Sequence, residues 1–189
     1  MLIDGCVLIN TDNLGLEDLL KIAKTAFEDR KLEDVVVAST RGDTGLAVAK
    51  LFKDLKSNLV VVGHSVGFKE ANKNEFSIDM QREIEELGGS VLLSTMPFHT
   101  INDAIRTKAG TSTETLIADT LRMMGQGTKV CVEIVAMACD NGLVESGKNI
   151  LAIAGTGRGA DTVIVVKSAN SRRFFDMRIV EVIAKRQTV

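Results

Sequence analysis

Short runs of β-branched residues alternate with amphipathic stretches along this chain, and that alternation restricts the fold more than any other feature. Val35-Val36-Val37-Ala38-Ser39 and the run from Leu59 to Gly63 carry no charged residue and show no polar face. A strand without a polar face needs cover on both sides, which is the situation of a strand in a parallel sheet. Between these runs Leu46, Ala47, Leu51 and Leu55 recur at helical spacing. Residues Leu16 to about Asp29 form a helix of the same kind. Leu16, Leu19, Leu20, Ala23 and Phe27 mark its apolar face, with Glu17, Asp18, Lys21 and Lys24 opposite.

Further along, Lys69 to Glu75 reads as a loop and Ser77 as the N-cap of a helix through Met80, Ile84 and Leu87. Gly88-Gly89 ends it, and Val91 to Leu93 is a third short strand. Met96 to Ser112, which holds Pro97, is expected to be irregular, and Thr113 to cap a helix carrying Leu116, Ile117, Leu121 and Met124. Gly125 and Gly127 are expected to break that helix. Val130 to Cys139 is apolar nearly all round and reads as a buried helix containing Glu133.

The rhythm then changes. Ile150 to Ala154 and Val163 to Val166 are separated by Gly155 to Thr162, an interval too short for a crossover helix. These strands are expected to be antiparallel neighbours or to flank a ligand loop. Met177 to Ala184 alternates near period two and reads as a last strand. The pattern predicts one α/β domain over residues 1–189, three-layered, with a mostly parallel sheet and an antiparallel edge.

Charge and composition remove several function classes. With 23 basic against 25 acidic residues, a net charge of -2, and no Trp or Tyr, the chain lacks the basic stripe and stacking aromatics of a nucleic-acid binder. No apolar run reaches about 18 residues. Asp4 interrupts the apolar start, so neither a membrane span nor a signal peptide is expected. Cys6, Cys131 and Cys139 form no C-x-x-C pair and read as reduced thiols of a cytoplasmic protein. His64 and His99 are the 2 histidines, too few for a His-rich metal site, and no metal is expected.

Two loops could carry binding chemistry. The turn Ser39, Thr40, Arg41, Gly42, Asp43, Thr44 lies between a strand and a helix, where N–H groups and the helix dipole favour an anion. Gly42 would let a phosphate approach the backbone, Ser39, Thr40 and Thr44 offer hydroxyls, and Arg41 offers a charged fork. The second loop, Gly155, Thr156, Gly157, Arg158 and onward to Thr162, suits a phosphate or carboxylate but is not G-x-G-x-x-G. Either could equally be an ordinary turn. Gly142 to Asn149 nearly spells a P-loop, yet it follows a helix and opens a strand, the reverse of what a P-loop requires. Candidate proton-transfer groups are His64 at a strand end, His99 in the irregular stretch, and Glu133, whose pKa burial is expected to raise.

The segments VVVASTRGDTGLAV, QGTKVCVEIVAMACDNGLV and GTGRGADTVIVV resemble a group of small archaeal and bacterial proteins of uncharacterised function. That group is itself similar to the C-terminal α/β domain of pyruvate kinase, and the likeness runs from about Asn10 to Ala184. The resemblance implies a pyruvate kinase C-terminal domain-like fold and a non-catalytic, phosphate-holding role. In that domain a Ser/Thr-Gly-Thr turn before a helix holds a phosphate and a later glycine-rich loop closes over it. Ser39 to Thr44 matches the first and Gly155 to Thr162 the second. Asp43 departs from the pattern by adding a negative charge, and Phe98 to Ser112 also differ. The catalytic barrel is absent, so kinase activity does not carry over.

Three functions follow as expectations. The first is binding of a phosphate-bearing small molecule: a nucleotide, flavin mononucleotide (FMN) or a sugar phosphate. The second is a stand-alone enzyme acting on such a ligand. The third is a structural or regulatory subunit that forms a homo-oligomer through Met177 to Ala184.

Overall fold

Val35, Val36 and Val37 are fully buried, so their strand needs cover on both faces. The computed structural model, which describes residues 9–10 and 15–185, supplies it. Asp4 and Cys6 lie outside the described residues. In chain order the elements are β1 (Ile9–Asn10), α1 (Leu16–Asp29), β2 (Asp34–Ala38), α2 (Asp43–Phe52), β3 (Asn58–Gly63), α3 (Ile78–Glu86) and β4 (Ser90–Leu93). There follow α4 (Ile101–Ala109), α5 (Thr113–Arg122), α6 (Gln126–Asp140), β5 (Asn149–Ala154), β6 (Thr162–Lys167), a 3-10 segment (Ser171–Asp176) and β7 (Arg178–Lys185).

The strands form one sheet in the order β1-β7-β6-β5-β2-β3-β4. β2 is parallel to β3, pairing Val35 with Leu59, and parallel to β5 on its other side, pairing Val35 with Leu151. β4 continues the parallel run beyond β3. β6 runs against both β5 and β7. The sheet is therefore mostly parallel, and its antiparallel part comes from residues after Asn149. β6 is the reversed strand, and β7 and β1 lie outside it.

The period-two side-chain alternation sorts the core into two halves. Val35, Val37, Val61, Leu151 and Ile153 face α1, α2 and α3 through Phe27, Val48, Phe52 and Ile84. Val36, Val60, Val62, Ile150 and Ile164 face α6 through Val132, Val135 and Ala136. α5 covers α6 with Ala118, Ile117 and Leu121. This is the three-layer arrangement of a buried sheet.

Three local expectations need correction. Residues 96–112 are not irregular throughout, because α4 occupies Ile101–Ala109. Ser112, not Thr113, caps α5, its Oγ accepting the Thr115 N–H at 3.2 Å. Gly127 does not break a helix; it sits in the first turn of α6, where a side chain would run into Thr162.

Gly45 shows how closely the layers approach. It lies in α2 directly over β3, and a Cβ there would penetrate the Val61 side chain. Gly45→Ala is expected to destabilise the protein by ~1–3 kcal/mol through overpacking. A lower urea midpoint with an unchanged m-value would report it.

Candidate functional site

From β2 the chain proceeds outward to β3 and β4, then crosses by α4, α5 and α6 and returns to lay β5 on the other side of β2. A crevice lies beyond the carboxyl ends of the two inner strands, where the loop after β2 leads into α2 and the loop after β5 turns back into β6. A cavity of about 440 Å³ lies there. The Ser39–Arg41 turn and the first residues of α2 form one wall, and Gly155, Gly157, Arg158 and Gly159 form the facing one. His64 and His99, which follow β3 and β4, line the far end with Glu133 of α6. Two loops and three candidate proton-transfer groups thus share one cleft.

At the loop end the roles differ in detail from expectation. Ser39 is buried, and its Oγ accepts the Gly42 N–H at 3.1 Å, stapling the turn. Gly42 does not line the cavity. Its φ of +108° favours glycine, and a Cβ would stand 2.8 Å from Met80 Cβ and 3.1 Å from Phe76 Cε1. The turn and α3 require glycine here, not an approaching ligand. Thr156 is also outside the lining, and its N–H donates to Asp161 Oδ2 at 2.9 Å. Thr40, Arg41 and Thr44 remain at the wall. No side chain caps α2, so the N–H groups of its first turn keep their pull on an anion. Asp43 reaches across, its Oδ2 lying 3.8 Å from Arg158 Nε, an exposed pair at the cavity mouth.

The other end is built from paired charges. His64 Nδ1 lies 2.8 Å from Glu75 Oε2, and Lys69 Nζ lies 2.7 Å from Glu75 Oε1. Burial acts to raise the Glu75 pKa, but Lys69 and His64 outweigh it and hold the carboxyl below its ordinary value. On α6, Lys129 and Glu133 stand one turn apart, with Nζ and Oε2 at 2.5 Å and both side chains almost wholly enclosed. Lys129 Nζ also lies 3.1 Å from His99 Nδ1 and 5.3 Å from the Phe98 ring centre. Burial pushes the Lys129 ammonium down, against the opposing pull of Glu133. Glu133 was expected to be raised, and here the structure differs. Burial does act upward, but His99 and Lys129 outweigh it and the carboxyl is held low.

Lys129, Glu75, Lys69 and Phe68 were not singled out in the sequence. A signal existed for Lys129: a Lys and a Glu one turn apart in an otherwise apolar helix must neutralise each other. Glu75 meets His64 across a loop with no regular period, so no pattern exposed it. Cys131 and Cys139 are buried; burial pushes the Cys131 thiol well up and that of Cys139 to about 11, so both stay protonated.

The buried pair makes a stability test. Lys129→Met leaves Glu133 as an enclosed carboxylate without its cation and is expected to cost ~3–5 kcal/mol. Lys129→Met with Glu133→Leu should recover most of that loss in denaturant melts. Because the folded Glu133 pKa lies below its ordinary 4.5, the unfolded chain binds more protons between the two values. The stability it contributes is therefore complete above pH 4.5 and lost as pH falls toward the folded value. Glu133→Gln should flatten that acid limb of the stability profile.

No protein-family model matches the sequence. Among solved structures the chain is similar to a pyruvate kinase from Cryptosporidium parvum, at 15% identity and a TM-score of 0.42, over 82% of this chain and 23% of that one. It is also similar to an O-ureido-L-serine synthase, at 20% identity and a TM-score of 0.32, over 58% of this chain and 29% of that one. The chain thus spans under a third of the length of either protein.

Proposed function

We propose that the cleft binds a phosphate-bearing small molecule, with a nucleotide, FMN and a sugar phosphate as the candidate classes. One observation carries the reading: the start of α2 and the Gly155–Gly159 loop, two elements far apart in sequence, line a single cavity at the reversal point of the sheet. The phosphate lies against the uncapped first turn of α2, with Arg41 and Arg158 as counter-charges. The volume is in the range of pockets that enclose a small organic ligand. Val62, Met96, Ile134 and Met137 line the interior and suit the less polar body of such a molecule. No helix among the described residues is long and apolar enough to cross a membrane, and we place the protein in the cytoplasm, where its buried thiols stay reduced.

Asp43 is the internal competitor of that anion. It holds Arg158 across the mouth and places a negative charge where the phosphate would sit. Asp43→Asn is expected to tighten binding of inorganic phosphate, adenosine monophosphate or FMN. Arg158→Ala should weaken it about tenfold, the loss of one charge-assisted hydrogen bond. Calorimetric titration reads both. If none of the three compounds binds the wild type, or if both variants bind as it does, the reading fails.

A further inference from the structure

α4 is amphipathic the wrong way round for a helix that covers a core. Its buried side chain is Asn102, whose amide nitrogen donates to the Phe98 carbonyl at 3.0 Å and whose Oδ1 accepts from Ser112 Oγ. These bonds fix the rotation of the helix, and Ile101 and Ile105, one turn apart, are left facing water. A surface helix normally turns such side chains inward, and an apolar face kept outward marks a site of association.

Ile101 and Ile105 line a second cavity, of about 320 Å³, between α4 and the C-terminal end of α6. Met96, His99 and Met137 line both this groove and the ligand cleft, and so separate the two. The groove carries two carboxylates, Glu114 and Asp140. Among the described residues no lysine or arginine lines it, and none pairs with either carboxylate. It is apolar and negative.

The 3-10 segment Ser171–Asp176 is the opposite. Arg172 and Arg173 pair with no carboxylate among the described residues, and with Asp176 they leave the segment positive. Phe175 is 77% exposed. Its ring meets that of Phe174 edge-on with centres 5.5 Å apart, and Phe174 packs in the same way on Phe98. The exposed ring is therefore carried on an anchored one. An aromatic side chain held in place beside arginines is the usual make-up of an energetic centre in an interface.

Groove and segment adjoin. Ser171 begins the segment and also lines the groove, its N–H donating to Asp140 Oδ1 at 2.9 Å. Neighbouring patches of opposite charge suit a two-fold contact, in which each copy gives its segment to the groove of the other. The symmetry repeats every contact, so Ile101, Ile105 and Phe175 are each buried twice.

We propose that the protein forms a two-fold symmetric dimer in which Phe175 of each chain seats in the groove of a second copy, against Ile101 and Ile105, with Arg172 and Arg173 facing Glu114 and Asp140. The dimer does not depend on a ligand in the cleft.

Sedimentation of the full chain without added ligand should find a dimer at about 10 μM. Phe175→Glu and Ile101→Glu should each weaken it about 100-fold or more. Both side chains are exposed in the single chain, so circular dichroism should be unchanged. A charge exchange tests the pairing itself. One variant carries Arg172→Glu and Arg173→Glu; the other carries Glu114→Lys and Asp140→Asn, which keeps an acceptor for Ser171. Each alone should be a monomer, because segment and groove then repel or lose their attraction. Their mixture should dimerise, since both contacts again join unlike charges. A wild type still monomeric at about 100 μM overturns the proposal. So does a dimer that either glutamate substitution leaves intact, or a charge-exchanged mixture of folded variants that stays monomeric. Assembly that keeps growing with concentration also overturns it, because a two-fold contact closes at two copies.

Discussion

Everything at the cleft depends on the double parallel pairing of β2. Its valines are enclosed on both faces, so it must lie inside the sheet, and the chain must add β3 on one side and β5 on the other. A connection that leaves a parallel strand crosses a face of the sheet before returning. The chain leaves the carboxyl end of β2 for α2 on one face, whereas at the carboxyl end of β5 it turns back into β6 within the sheet, so the two loops part company. The cavity is the space between them. No residue was recruited to open it; hydrogen-bond pairing and the need to bury valines create it.

How much of this was legible in the sequence follows the same physics. Strands covered on both faces wrote themselves as uninterrupted apolar runs, and the short Gly155 to Thr162 interval announced the reversal of β6. α4 left no such trace, because its apolar side chains point outward: Ile101 is 76% and Ile105 47% exposed, while Asn102 is buried. Hydrophobic periodicity finds the face that meets a core, and α4 has an amide there. The site was legible as two loops but not as a charge network. The hydroxyls and arginine at Ser39 to Thr44 could be read locally, whereas Glu75 behind His64 and the convergence of His99 on Lys129 are products of tertiary placement.

The cleft divides its charge by depth. Arg41, Asp43 and Arg158 stand near the mouth, where water weakens each of them. Lys129 lies behind the far wall and Glu133 in it, both almost wholly enclosed, and there the same charges act over short distances at far greater strength. A ligand whose phosphate rests at the mouth would meet screened charges there, while its inner end meets fixed, desolvated ones. The outer set suits exchange and the inner set suits rigid positioning.

The reversed strand has a consequence for how this architecture can vary. Since β6 runs against β5, the segment joining them leaves the sheet and re-enters it on the same rim. It is a hairpin loop and not a crossover, so both its anchors are fixed by ladder hydrogen bonds independent of its own length. Gly155 and Asp161 are fixed by close packing and by the Asp161 N–H bond to Ala154, but residues 156–160 between them can be lengthened, shortened or exchanged without threading a new helix across either layer. The wall of the cavity that faces α2 is therefore a replaceable part, free to diverge among proteins that share the sheet while the histidine wall, tied into α6 and two strand ends, is not.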